Sequence, residues 1–99
     1  MSEVLILEFR DVSPDLYETA NKALELDPDT GTGQWPAGII SHVAGAHADG
    51  NGLTVVEVWE SREAQDEFMN TRLGPVLGQV GIPQPTRAEW MAVKGYHVT

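Results

Sequence analysis

The side chains that could do chemistry in this chain are few. Three histidines and many carboxylates are present, and there is no cysteine. His42 and Glu57 are the pair to follow, because both lie in alternating apolar runs on either side of an Asp49-Gly50-Asn51-Gly52 turn. An imidazole beside a carboxylate is held in one tautomer and can act as general base or acid near neutral pH. Trp59, two residues beyond Glu57, would give an aromatic substrate a flat apolar wall. The plain structural alternative is a packed, hydrogen-bonded core histidine with Glu57 as its partner at an interface. His47 lies at an odd offset from His42 on the same run, so the two would face opposite ways and could not clamp one metal. His97, near the C-terminus, is expected in solvent. Glu8 would join Glu57 on one face if the first and third strands are neighbours, or else pair with Arg10 or Arg87.

Other chemistries lack their parts. Without cysteine there are no disulfides, thiolate zinc ligands or thiol nucleophiles. No serine sits in a Gly-x-Ser-x-Gly elbow. Gly31-x-Gly33 runs into Gln34-Trp35-Pro36 rather than a helix, so no phosphate cradle forms and no nicotinamide or flavin is expected. Asp27-x-Asp29-x-Gly31 opens like a calcium loop, but its twelfth position is Gly38 rather than glutamate. No metal and no cofactor are therefore predicted. The formal net charge of −9, from 15 acidic residues against six Lys plus Arg, repels a phosphate backbone, and nucleic acid is excluded as a partner.

The elements that must position these residues follow from the hairpin. If Ala48 pairs with Leu53, His42 falls opposite Trp59 and Ala44 opposite Glu57. One face then carries Ile40, His42, Ala44, Ala46, Val55, Glu57 and Trp59. The other carries Ile39, Ser41, Val43, Thr54, Val56 and Val58. A three-residue loop with a bulge would slip this by one and part His42 from Glu57. Val4 to Phe9 reads as a strand. Ser13-Pro14-Asp15 starts a helix expected to reach about Leu26, with Leu16, Ala20, Ala23 and Leu24 as its stripe. Asp27 to Ala37 is a long connection in which Trp35 forms a lid or pocket rim, or packs over the core edge. Ser61 caps a second helix with Ala64, Phe68, Met69 and Leu73 inward, broken at Gly74-Pro75 before a turn over Val76 to Val80. Arg87 to Val98 closes the chain as a strand.

The order β-α-β-β-α-β over residues 1–99 predicts one α+β domain, a ferredoxin-like antiparallel sheet with both helices on one face. The helices would take Leu5, Leu7, Phe9, Val56 and Val58. That would leave Val4, Ile6, Ile40, Ala44, Val55, Trp59, Met91 and Val93 on a face too apolar for water, so a homodimer packed sheet against sheet is expected. The opening MSEVLILEFR is neither signal peptide nor membrane span, which predicts a cytoplasmic protein with no membrane partner.

Glu57-x-Trp59-x-Ser61-x-Glu63-Ala64 directly after a strand, within this element order, resembles the dimeric α+β barrel superfamily and its antibiotic biosynthesis monooxygenase-like domains. The resemblance covers nearly the whole chain in layout. It implies two subunits forming a dimeric α+β barrel, and activities that include cofactor-free oxidation of aromatic polyketides, haem degradation, cyclisation and isomerisation. Two positions depart from the pattern: the first strand offers Glu8 where oxygenases of the group often use an asparagine, and the second helix has Phe68 where many members have a histidine. The sequence thus predicts a small apolar or aromatic ligand, bound in a barrel cavity by Trp59, Trp35, Glu8, Ile40, Val55 and Met91. His42 would be the base and Glu57 the acid or orienting partner. Two alternatives are a non-catalytic dimeric binder and, less favoured, haem binding through His42.

Overall fold

The computed structural model describes residues 2–99. Its elements are β1 (Glu3–Arg10), α1 (Pro14–Ala23), β2 (Leu26–Asp27), β3 (Thr32–Gly33), β4 (Ile39–Ala46), β5 (Gly52–Trp59), α2 (Arg62–Phe68), α3 (Gly74–Val80) and β6 (Arg87–Ala92). Four strands form one antiparallel sheet in the order β4-β5-β1-β6, and β2 and β3 form a separate two-residue hairpin. This is the ferredoxin-like α+β arrangement. Among the described residues, no helix is long and apolar enough to cross a membrane.

Local signals explain most boundaries. The Ser13 hydroxyl accepts from the Leu16 N–H at 3.3 Å and Pro14 opens α1, so one free helix donor is satisfied and one is absent. Ser61 caps α2 in the same way through Ala64 at 3.2 Å. Gly74-Pro75 does not break the second helix. A π-helical turn over Met69–Leu73 joins α2 to α3, and the Gly74 N–H reaches the Met69 carbonyl. The wider turn accommodates the proline, which can neither donate nor sit under an ordinary helical carbonyl. A Cβ on Gly74 would come within 2.8 Å of that same carbonyl oxygen, so the turn depends on glycine there. The last strand stops at Ala92 rather than Val98, and the tail beyond it is mostly exposed.

The sheet register decides which residues reach the helices. His42 pairs with Glu57, Ala44 with Val55 and Ala46 with Leu53, two residues away from the expected pairing. An even shift leaves each side chain on its face, so His42 and Glu57 still share one. A bulge between Ile39 and Ser41 turns Ile39 onto that face and leaves Ile40 42% exposed. On β1, Leu5 lies opposite Glu57 and Leu7 opposite Val55. The face that carries Leu5, Leu7, Phe9, Leu53, Val55, Glu57 and Trp59 is the one buried under the helices. The expected division of β5 was therefore inverted. Val55 and Trp59 belong to the core, while Val56 joins Val43, Ile6, Val4 and Met91 on the outer face. The reason is volume: Trp59 has 0% exposure and needs the helix layer to cover it.

Candidate functional site

Four side chains on three elements form one hydrogen-bonded chain. Tyr17, on the sheet-facing side of α1, places its hydroxyl 2.6 Å from His42 Nε2. His42 Nδ1, on β4, lies 2.7 Å from Glu57 Oε2. Glu57, on β5, accepts from Trp59 Nε1 through its other oxygen at 3.0 Å. The rings of Tyr17 and His42 are parallel within 1° with centroids 6.1 Å apart. With so short a hydroxyl–nitrogen contact, that separation means the rings meet end to end, with the hydroxyl close to the imidazole plane where the Nε2 lone pair lies.

Proton bookkeeping orients the chain. An ionised Glu57 can only accept, so His42 Nδ1 carries the hydrogen. Nε2 of the neutral ring is then an acceptor, and the Tyr17 hydroxyl donates to it. Glu57 is only 9% exposed, yet both its oxygens have partners, as a buried carboxylate requires. Burial pushes the Tyr17 phenol up from its ordinary value of 10.0; the Asn21 side chain pulls the other way, and the negative charges of Glu57 and Asp29 add to the rise. The hydroxyl is thus kept protonated at neutral pH.

This chain lies along a cavity of about 70 Å³ between sheet and helices, counted as the space open to the centre of a water molecule. At about 10–15 Å³ for each water on that measure, it has room for about five to seven. Its wall is apolar, with Leu7, Phe9, Leu24, Val55, Phe68 and Leu77 among the lining residues; Tyr17, Asn21, His42 and Glu57 supply the polar side chains. Trp35 also lines it, with its ring centroid 5.4 Å from that of His42. Its indole N–H donates to the Thr32 carbonyl at 2.9 Å, which ties it to the β2–β3 hairpin. A second, open groove outside the cavity is lined by Pro28, Gly31 and Ile40 and shares Trp35, Ile39 and His42 with it.

The expected site residues divide into two groups. His42, Glu57, Val55 and Trp35 converge on the cavity. Trp59 stands behind Glu57 and packs on Phe68 with centroids 6.0 Å apart, so it anchors the carboxylate and does not line the space. Glu8 alternates with Leu7 and Phe9 and turns to the outer face, where it bonds Arg10 at 3.2 Å. Met91 pairs with Val4 on that outer face and is 40% exposed. Ile40 lies on the bulge, in the outer groove. This cavity thus lies within the subunit, between sheet and helices. His47 is taken up by the hairpin, with Nε2 2.8 Å from the Thr54 hydroxyl. Tyr17 was not foreseen. Its signal was Tyr17, Asn21 and Leu24 recurring beside Ala20 on one helical stripe.

No protein-family model matches the chain, and no curated protein matches it in sequence. Solved structures match in fold. Rv0793 of Mycobacterium tuberculosis is 22% identical with a TM-score of 0.65, over 99% of this chain and 100% of that one. A monooxygenase from the gene ActVA-Orf6 of Streptomyces coelicolor, in complex with nanaomycin D, is 19% identical with a TM-score of 0.63, over 99% of this chain and 92% of that one. SnoaB, a cofactor-independent oxygenase from Streptomyces nogalater, is 10% identical with a TM-score of 0.65, over 96% of this chain and 94% of that one. The resemblance read from Glu57 to Ala64 and the element order therefore holds at the level of fold.

Proposed function

We propose that the protein is an enzyme that binds a small, largely apolar or aromatic molecule between its sheet and helices and moves a proton on it without a cofactor. The observation that carries this reading is the chain Tyr17–His42–Glu57, backed by Trp59, along an otherwise apolar cavity. His42 is the base, Glu57 orients its ring and faces the charge that arrives there, and Trp59 holds Glu57 in place. Val55 and Trp35 wall the substrate. The reaction class is proton abstraction leading to cyclisation, isomerisation or oxidation by dioxygen. Two structural neighbours, a cofactor-independent oxygenase and a monooxygenase holding nanaomycin D, support this class. Convergent polar groups favour it over a purely structural core. Haem ligation through His42 is disfavoured, since Tyr17 and Glu57 already engage both ring nitrogens.

We also infer that a second copy covers the outer sheet face. There Val43, Val56 and Ile6 form one apolar row beside a second of Val58, Val4 and Met91. Val43 is 64% exposed, an extent that favours a covered face over a bare one.

The test of the reaction is dioxygen uptake with 1,8-dihydroxyanthrone in buffer free of added metal or cofactor. Its methylene becomes a carbonyl with one dioxygen consumed and one water released. The wild type should exceed the buffer rate, and His42→Ala should return to it with its circular dichroism unchanged. Equal uptake by His42→Ala and wild type would remove His42 as base. Binding of the anthrone without uptake would favour the non-catalytic binder.

A further inference from the structure

We propose that Tyr17 is the residue that meets the substrate, and that it takes the proton of a phenolic or enolic hydroxyl while handing its own to His42. This rests on the cavity being a substrate site, and it names the group the substrate must carry. Both ring nitrogens of His42 are occupied, by Tyr17 at 2.6 Å and Glu57 at 2.7 Å, so the imidazole cannot reach a ligand unless one bond breaks. The Tyr17 hydroxyl is the end of the chain, with the Asn21 side chain as a hydrogen-bond partner beside it. Its hydrogen is committed to Nε2, and of the two lone pairs on its oxygen the one that Asn21 does not engage is left for a ligand. A carbonyl there finds no donor in Tyr17, whereas a hydroxyl can donate to it. Asn21, 8% exposed and one turn along α1, is the other polar side chain of that helix lining the space.

The step balances as a proton relay. The substrate O–H bond breaks and its proton goes to the Tyr17 oxygen. The Tyr17 O–H bond breaks and that proton goes to His42 Nε2. The products are a substrate oxyanion, a neutral tyrosine and an imidazolium against the Glu57 carboxylate. No electron pair leaves the substrate. The charged or titratable groups around Tyr17 are His42, Glu57 and Asp29, and together with burial the two carboxylates oppose a resident phenolate. Tyr17 therefore passes a proton on and does not store one.

The probe is 4-nitrophenol, whose phenolate absorbs visibly, with 4-nitroanisole as the analogue that lacks the hydroxyl. Binding is measured by equilibrium dialysis, and ionisation of the bound probe by its absorbance across pH. At the pH where the free phenol is half ionised, wild-type protein should hold about tenfold more phenolate than phenol, which corresponds to one pH unit. Nitroanisole should bind more weakly. Tyr17→Phe should still bind nitrophenol but leave its ionisation as in solution. His42→Gln, with Tyr17 intact, should do the same, and that arm decides alone if Tyr17→Phe loses its fold by circular dichroism. An unchanged downward shift in either folded variant overturns the relay, as does a wild type that binds nitrophenol without shifting it. If dialysis shows neither probe bound, the cavity reading itself fails, and the relay with it.

Discussion

Replacing Glu57 in two ways separates what its carboxylate does for the fold from what it does for His42. In Glu57→Gln the amide oxygen still accepts from Trp59 Nε1, and two charge-assisted bonds become neutral ones, a loss of about 1 kcal/mol each. Relief from burying a charge offsets part of that. Glu57→Leu fills similar volume with apolar surface, yet it strands the indole N–H of a tryptophan with 0% exposure. An unpartnered buried donor costs about 1–3 kcal/mol. His42 suffers less, because its partly exposed ring can change tautomer or reach water. The leucine variant should therefore be about 2 kcal/mol less stable than the glutamine variant, or roughly 8–16 °C lower in Tm for a domain of this size. Urea melts at pH 7 with equal m-values are the assay. Adding Trp59→Phe to both backgrounds should close the gap, since no indole donor remains to be stranded. A leucine variant as stable as the glutamine variant would refute the reasoning and show that Trp59 Nε1 does not depend on Glu57.

Val43→Asp, on the outer face, should convert a dimer to a monomer by light scattering with little change in the fold of the subunit; a monomeric wild type would remove the sheet-to-sheet pairing altogether. Because the Tyr17 phenol is raised in the folded state, its stabilising contribution is complete below pH 10 and is lost as pH climbs through the folded value. Above pH 10 wild-type stability should fall faster than that of Tyr17→Phe, by up to about 1.4 kcal/mol per pH unit; parallel curves would contradict the burial of the phenol. Gly33→Ala should destabilise by about 1–3 kcal/mol, since φ there is 112° and a Cβ would strike the Glu25 carbonyl oxygen. It should also raise acrylamide quenching of Trp35, and unaltered quenching would mean that the hairpin does not hold the indole.

The elements were legible where a local signal has one physical meaning. Ser13-Pro14 and Ser61 had to start helices, and Asp49 to Gly52 had to turn. That His42 and Glu57 share a face survived a wrong pairing, because an even register error moves no side chain across the sheet. The side on which the helices lie was not legible for β5, since Val56 and Val58 alternate with Val55 and Trp59 and both sets are apolar. The bulge that displaces Ile40 has no residue signature of its own. Pro75 read as a stop because a π turn is needed to carry a helix through it, and such a turn depends on the packing of two helical segments. Tyr17 escaped because its contact with His42 joins α1 to β4 across 25 positions, which no local pattern shows.

Trp35 stands between the small inner cavity and the open groove outside it, and Ile39 and His42 share that wall. The consequence is kinetic. Passage between these two spaces requires the indole and its hairpin to swing aside, so exchange of a molecule by that route is set by a local opening rate and not by the strength of contacts within the cavity. Ligands that leave through the groove should then share one limiting rate of dissociation, however much they differ in affinity.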